Sequence, residues 1–412
     1  MFLFYQQKIF EEFVYLCRDN RKDMKKFFLY ILPIFCFATF FTSCKDDEPI
    51  EPCDKTIIMY FPWSTDLTYY FQTNITDMES AIRKAAIPGE RVVVFFASSQ
   101  TEAELFEIVL ENGSCMRKPL KHYQFSNNEY TTETGLTKII ADFKAFAPAE
   151  SYSMIIGCHG LGWISSEAGS RSLYDKSNYK YHWEGQGCLT RFFGGRTADC
   201  QTELSTLAAS IINNGIKMEY ILFDDCYMAN VETSYVLRNA TDYLIASTSE
   251  IMARGLPYAT VGQYLLGKPN YKAIVDGFYD FYSHYSKPYG ALSVIDCSQI
   301  EGLASVVKRI NNDYTFDSSK LKNIQKLDGY NPSIFFDCRS YMNQLCNDAA
   351  LMNAFDVQLG KTVLYTACTP QLYSSSFGTF DIEEYSGITI SDPSEHRWAS
   401  EKQSTDWYQA TH

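Results

Sequence analysis

The chain has 412 residues, 46% hydrophobic and 21% charged, a globular balance that excludes disorder as the dominant state. Its formal net charge is −13 and no long Lys/Arg run occurs, which argues against a nucleic-acid partner, because phosphate binding needs a basic face. Only one stretch, near the N-terminus, is apolar enough to meet a bilayer, so a multi-span transporter is excluded.

That stretch is Met24-Lys25-Lys26 followed by Phe27–Thr42, and it reads as a signal peptide. Two lysines form the n-region and a 16-residue apolar run forms the h-region, short of the roughly 20 residues a transmembrane helix needs. The run ends in Phe41-Thr42-Ser43-Cys44, which resembles a bacterial lipobox, where the signal is cut before a cysteine that is then acylated. Cys44 is the expected lipidation site, residues 1–43 the leader with Met24 as the expected true start, and residues 44–55 an acidic tether. Lys45-Asp46-Asp47-Glu48 resembles the signal that sends some Gram-negative lipoproteins to the outer face of the outer membrane. The expectation is therefore an exported Gram-negative lipoprotein, held at the cell surface by a lipid anchor.

Thr56–Phe61 is a compact apolar run closed by Pro62-Trp63 and predicts a buried strand. Tyr69–Ala86 has helical spacing and stops at Pro88-Gly89. Arg91–Ala97 predicts a second buried strand, and Glu102–Asn112 with Ser114–Phe125 an extended excursion. Thr134–Phe146 predicts an amphipathic helix and Ser153–Cys158 a third strand. Gly162–Cys200, rich in Gly, Ser, Tyr and Lys/Arg without a clear period, predicts a long exposed loop. Helix Thr202–Asn214, strand Glu219–Phe223, helix Asn230–Asn239, strand Tyr243–Ser247, helix Tyr271–Tyr285, strand Leu292–Ile295 and helix Gln299–Asn311 follow. Short apolar strands alternating with amphipathic helices indicate a parallel sheet covered by helices on both faces, over residues 56–317. The alternation weakens after that, and residues 318–412 are expected as a smaller C-terminal subdomain with late strands at Val363–Ala367 and Ile388–Ile390.

In such sheets ligands sit at the carboxyl ends of the strands. The third strand exits through Gly157-Cys158-His159-Gly160, the fourth through Asp224-Asp225-Cys226. A His at one exit and a Cys at the next meet the minimal requirement for a cysteine nucleophile with an imidazole partner. Gly160 lacks a Cβ, so its N–H can approach a substrate carbonyl and, with the Cys226 N–H, form an oxyanion hole. Of the 13 cysteines, ten remain beyond Cys44; their spacings are irregular and no C-x-x-C pair occurs, so neither a zinc ribbon nor a thioredoxin-type motif is supported. No G-x-S-x-G elbow, G-x-G-x-x-G or P-loop is present.

His159-Gly160 and Asp224-Asp225-Cys226, followed by Met228-Ala229-Asn230-Val231-Glu232, Ala246-Ser247-Thr248-Ser249-Glu250 and Gly255-Leu256-Pro257-Tyr258, resemble the clostripain family of cysteine peptidases. The resemblance covers roughly residues 55–300. It implies an α/β fold of the caspase-like kind, a three-layer α/β/α sandwich with a mostly parallel central sheet. It implies an endopeptidase acting on peptides or proteins, with Cys226 as nucleophile and His159 as general acid and base. Asp224 matches the acid that the family uses to attract an Arg or Lys at the cleavage site, with Asp225, Ser249 and Glu250 beside the same pocket. Arg254 departs from the pattern, since it puts a base near the expected pocket rim. The loop 163–200 carries Arg171, Lys176, Lys180, Arg191 and Arg196, and the resemblance implies self-cleavage there. No motif demands a cofactor or a metal; the resemblance raises calcium, but no EF-hand loop is present. The competing reading is a catalytically silent surface lipoprotein of the same fold that holds peptide or glycan.

Overall fold

The computed structural model describes residues 50–64, 66–126, 129–165, 194–195 and 200–412. The first apolar run forms β1 (Cys53–Phe61), which breaks at Pro62 and leads into helix α1 (Thr68–Ala85). β2 (Glu90–Ala97) returns parallel to β1. The segments read as an extended excursion are two more strands of the same sheet, β3 (Glu102–Glu111) and β4 (Ser114–Gln124). Asn112-Gly113 joins them, with φ of 50° and 78°. Positive φ at both residues is the geometry of a two-residue hairpin turn whose twist suits the flanking strands.

Helix α2 (Glu133–Phe146), capped by the Thr132 side chain on the Gly135 N–H, leads to β5 (Ala149–Ile156). After residue 200 come α3 (Leu204–Asn213), β6 (Met218–Phe223), α4 (Val231–Leu237), β7 (Thr241–Ala246), α5 (Tyr271–His284), β8 (Ala291–Asp296) and α6 (Ile300–Asp313). The remainder supplies β9 (Phe336–Asp337), α7 (Cys338–Leu345), α8 (Ala349–Thr362), β10 (Val363–Cys368), the hairpin β11 (Gln371–Ser374) and β12 (Gly378–Asp381), β13 (Thr389–Ile390) and α9 (Asp406–Thr411).

The central sheet runs β10-β8-β7-β6-β5-β1-β2-β3-β4. Its five middle strands, β7 through β2, are parallel, and the pairs outside them are antiparallel. Alternate residues of each strand face opposite layers. Ile58, Tyr60, Met154, Ile156, Ile221 and Phe223 pack with α2, α3, α4 and α6, while Ile57, Met59, Phe61, Tyr220 and Leu222 pack with α1 and α5. Strands buried on both faces lose their alternation and read as continuous apolar runs, the reason these segments stand out in the sequence. Among the described residues, no helix is long and apolar enough to cross a membrane.

The expected boundary at 317/318 does not divide the structure, because residues 51–412 form one compact unit. β10 extends the central sheet beyond β8, α8 packs on α6, and Trp407 of α9 is fully buried against Tyr235. The strand expected at Ile388–Ile390 is β13; it pairs with β9 outside the central sheet. The same segment docks on the chain that follows β6. Thr389 N–H donates to Ala229 C=O (3.0 Å) and Ser391 N–H to Glu232 Oε1 (2.8 Å).

Glu232 is thus a buried carboxyl of α4 facing Asp392, with Lys402 from the tail and Cys338 and Tyr341 from α7 around the pair. Burial, and then the Asp392 charge, push Glu232 up to about 8 from an ordinary value of 4.5. Burial pushes Asp392 up to about 7, with Lys402 pulling the other way. A carboxyl raised on folding binds a proton that the unfolded chain has released, so stability falls as pH rises from the ordinary value through the folded one. Glu232→Gln removes that loss. Its stability relative to the parent should improve by at least about 1 kcal/mol between about pH 5 and about pH 9, measured by urea unfolding at both; a pH-independent difference would contradict the assignment.

Candidate active site

β5 and β6 are parallel neighbours, paired through Ile156↔Phe223, and the Asp224 N–H continues the ladder to Ile156 C=O (2.8 Å). Both exits therefore leave the sheet side by side. Asp225 is fully buried and clasps them: its Oδ1 accepts the Cys158 N–H (2.6 Å) and its Oδ2 the Cys158 thiol (3.4 Å). Gly160 lies so close to the second exit that a Cβ there would stand 2.7 Å from the Cys226 nitrogen and also collide with the Cys226 carbonyl oxygen. Only glycine fits. His159 sits between these two contacts, so the His-Gly and Asp-Cys segments meet across the strand pair.

Cys226 is fully buried, and its Sγ accepts the Ile251 N–H at 3.3 Å. Tyr227 follows at φ 61°, a left-handed conformation that costs a residue with a Cβ about 1–2 kcal/mol. Surrounding bonds hold it there. Its N–H donates to Ser249 C=O (3.0 Å), its hydroxyl to Glu250 Oε1 (2.9 Å), and its ring stacks on Phe335 with centroids 4.8 Å apart. Asn230 then caps α4, its Oδ1 accepting the Thr233 N–H (2.6 Å) and its Nδ2 donating to Tyr227 C=O (2.7 Å). The sharp reversal from strand to helix keeps Cys226 at the tip.

The four expected substrate contacts separate. Asp224 is buried at the end of β6; its Oδ1 accepts the Leu256 N–H (2.8 Å) and its Oδ2 the Tyr258 hydroxyl (3.2 Å). Asp225 acts as the clasp between strand exits. Ser249 takes part through its backbone, accepting from Tyr227. Glu250 is a bracket: besides Tyr227 it accepts from Ser374 Oγ (2.8 Å) and the Ser375 N–H (3.0 Å), tying the loop after β7 to the end of β11. Asp225 thus binds the strand exit beside His159, and Glu250 holds Tyr227 next to Cys226. Arg254, expected at the pocket rim, turns to α1, where its Nη2 donates to Asp77 Oδ2 (2.5 Å) and its carbonyl accepts from Asn74 (3.1 Å).

One site neighbour had no motif to mark it. Asp66, in the turn between β1 and α1, places Oδ1 2.7 Å from His159 Nε2. Its position just past the carboxyl end of β1, the strand next to β5, is the signal that locates it. Cys44, the leader, and Arg171, Lys176, Lys180, Arg191 and Arg196 lie outside the described residues. Cys53, Cys115, Cys297, Cys338, Cys346 and Cys368 carry free thiols. Among the described residues, no group of three or more His, Cys, Asp or Glu side chains is arranged to hold a metal ion.

The model of the clostripain family, Peptidase_C11, matches residues 59–350. A secreted C11 cysteine protease from Bacteroides thetaiotaomicron, "iotapain", is 48% identical; the match covers 88% of this chain and 100% of that one, with a TM-score of 0.81. A clostripain from the same organism, crystallised with the peptide inhibitor BTN-VLTK-AOMK, is 54% identical over 54% of this chain and 99% of that one, with a TM-score of 0.53. An inactive zymogen C11 protease from Parabacteroides distasonis, 24% identical over 88% of this chain and 99% of that one, shares the fold with a TM-score of 0.71. A search of the curated proteins finds no match. The chain belongs to the clostripain family of C11 cysteine proteases, hydrolases of caspase-like fold.

Proposed function

We propose that the chain is a latent endopeptidase in which Cys226 is the nucleophile, His159 its general acid and base, and Arg or Lys the residue preceding the cut bond. The observation that carries this reading is the approach of Gly160 to the Cys226 backbone nitrogen. It joins the imidazole-bearing exit to the thiol-bearing one and brings the Gly160 backbone against the Cys226 nitrogen.

The chemistry follows from that arrangement. His159 takes the thiol proton, and the sulfur anion attacks the peptide carbonyl carbon. The N–H groups of Gly160 and Cys226 receive the oxyanion. The C–N bond breaks as His159 returns the proton to the leaving amine, leaving a thioester. His159 then deprotonates a water, which hydrolyses the thioester and restores the thiol.

Asp224 supports the basic preference. It is a carboxylate set at the strand exit two residues before the thiol, and a guanidinium pairs with such a group through charge-assisted bonds. Arg254 offers no objection, because Asp77 engages it. The inhibitor bound by the 54% identical relative carries the peptide VLTK, which ends in lysine. The burial of Cys226 and His159 supports latency. Cleavage in the loop 163–200 after one of its bases would open the site, and the Gly194 carbonyl, which accepts the His159 N–H (3.2 Å), would keep the downstream chain in place. The lipobox-like Cys44 and the acidic residues after it support an acylated form on the outer membrane, and the secreted relative supports export.

On a fluorogenic library varied at P1, Arg and Lys substrates should turn over at least about 100-fold better than neutral ones, and Asp224→Asn should erase most of that ratio. Cys226→Ala should abolish cleavage, labelling by an Arg- or Lys-based chloromethyl ketone, and the two fragments of the active form on a gel. Residual turnover by Cys226→Ala, or indifference to P1 charge, would overturn the respective assignment. Gly160→Ala drives a Cβ into the Cys226 backbone and should cut kcat/KM by about 100-fold or more. Gly360→Ala, where nothing lies within 4 Å, is the matched control and should leave kcat/KM unchanged.

A further inference from the structure

We infer that Asp66 is the positioning residue for His159, so that a carboxylate, an imidazole and a thiol from three neighbouring strands form one line. The inference rests on the roles proposed above for His159 and Cys226. β1, β5 and β6 are consecutive in the sheet. β1 pairs with β5 up to Tyr60↔Ile156, and the Gly157 N–H donates to Tyr60 C=O (3.1 Å), so these two exits are also locked side by side. Asp66 approaches His159 from the β1 side, while Cys226 stands on the β6 side. A tight turn presents Asp66: its N–H donates to Ser64 C=O (2.8 Å), and α1 begins two residues later.

The contact is of the short, charge-assisted kind, 2.7 Å from carboxylate oxygen to ring nitrogen. The ring is 1% exposed and the carboxylate 29%, so Asp66 keeps a hydrated side while reaching a buried imidazole. An ionised carboxylate only accepts hydrogen bonds. The neutral ring therefore carries its proton on Nε2, and proton exchange with the thiol and the leaving amine falls to Nδ1. Once Nδ1 is protonated, the ring is a cation in a buried place, which is costly without a counter-charge. Asp66 supplies that counter-charge at hydrogen-bonding distance and favours the charged ring. The family reading needs only two residues for this chemistry; here a third sets the tautomer and the orientation of the second.

Asp66→Asn keeps the volume and removes the charge. We expect kcat to fall at least about tenfold with KM changed less than about twofold, and the alkaline limb of the kcat/KM profile to move down by about one pH unit. Asp66→Glu, which keeps the charge one methylene further out, should restore most of that limb. The profiles are measured on the self-processed full chain with an Arg or Lys peptide, beside thermal melts of each variant. An unmoved limb in Asp66→Asn would overturn the inference, whether kcat is normal or reduced, and so would a failure of Asp66→Glu to recover the limb. If Cys226→Ala still cleaves, the parent reading fails first; if Cys226→Ala is dead and Asp66→Asn matches the parent enzyme, only this inference fails.

Discussion

Asp225 is fully buried, and its two oxygens accept from Cys158, one from the backbone N–H and one from the thiol. A buried carboxylate placed this way fixes the distance between two parallel strand exits more tightly than the sheet ladder alone. Removing it would leave the Cys158 N–H without its acceptor, a loss of about 1–3 kcal/mol. The close seat of Gly160 on Cys226 depends on this clasp, and so does any chemistry between the residues on either side. The site is built by joining two strand ends that the hydrophobic layers have already made parallel and adjacent.

The strain at Tyr227 is the counterpart of that clasp. A left-handed tyrosine is unfavourable in isolation and persists only where its surroundings over-determine it. Here the Glu250 carboxylate, the Ser249 carbonyl and the face of Phe335 act from three directions. Glu250 in turn rests on Ser374 and Ser375, residues about 150 positions beyond the thiol in the chain. Rigidity at the tip of β6 therefore draws on the last part of the chain as much as on the strand itself.

This explains which features a reader of the sequence can find. Thr56–Phe61, Arg91–Ala97 and Glu219–Phe223 are legible because parallel strands buried on both faces become unbroken apolar runs. His159, Gly160 and Cys226 are legible because they stand where such runs stop. The β3–β4 hairpin carried its signal in Asn112-Gly113, which marks a two-residue turn; reading the segments as an excursion overlooked it. β10 was visible as an apolar stretch, but its seat beside β8 is a pairing across most of the C-terminal region, which local pattern does not encode. Asp66 belongs to the connection between β1 and α1, which carries no motif; its place past the carboxyl end of β1 is its one signal in the sequence, and the tertiary contact with the imidazole gives it a partner. Asp225 and Glu250 were visible as acids, yet which atoms they hold is decided by packing.

The docking of Thr389 and Ser391 on Ala229 and Glu232 has a genetic corollary. The stretch that follows Cys226 is underpinned by residues about 160 positions further along, so its packing cannot be completed on a nascent chain until residues 389–391 have been made. A chain cut short ahead of Thr389 would lose both contacts and would be as damaged there as one carrying a missense change beside Cys226.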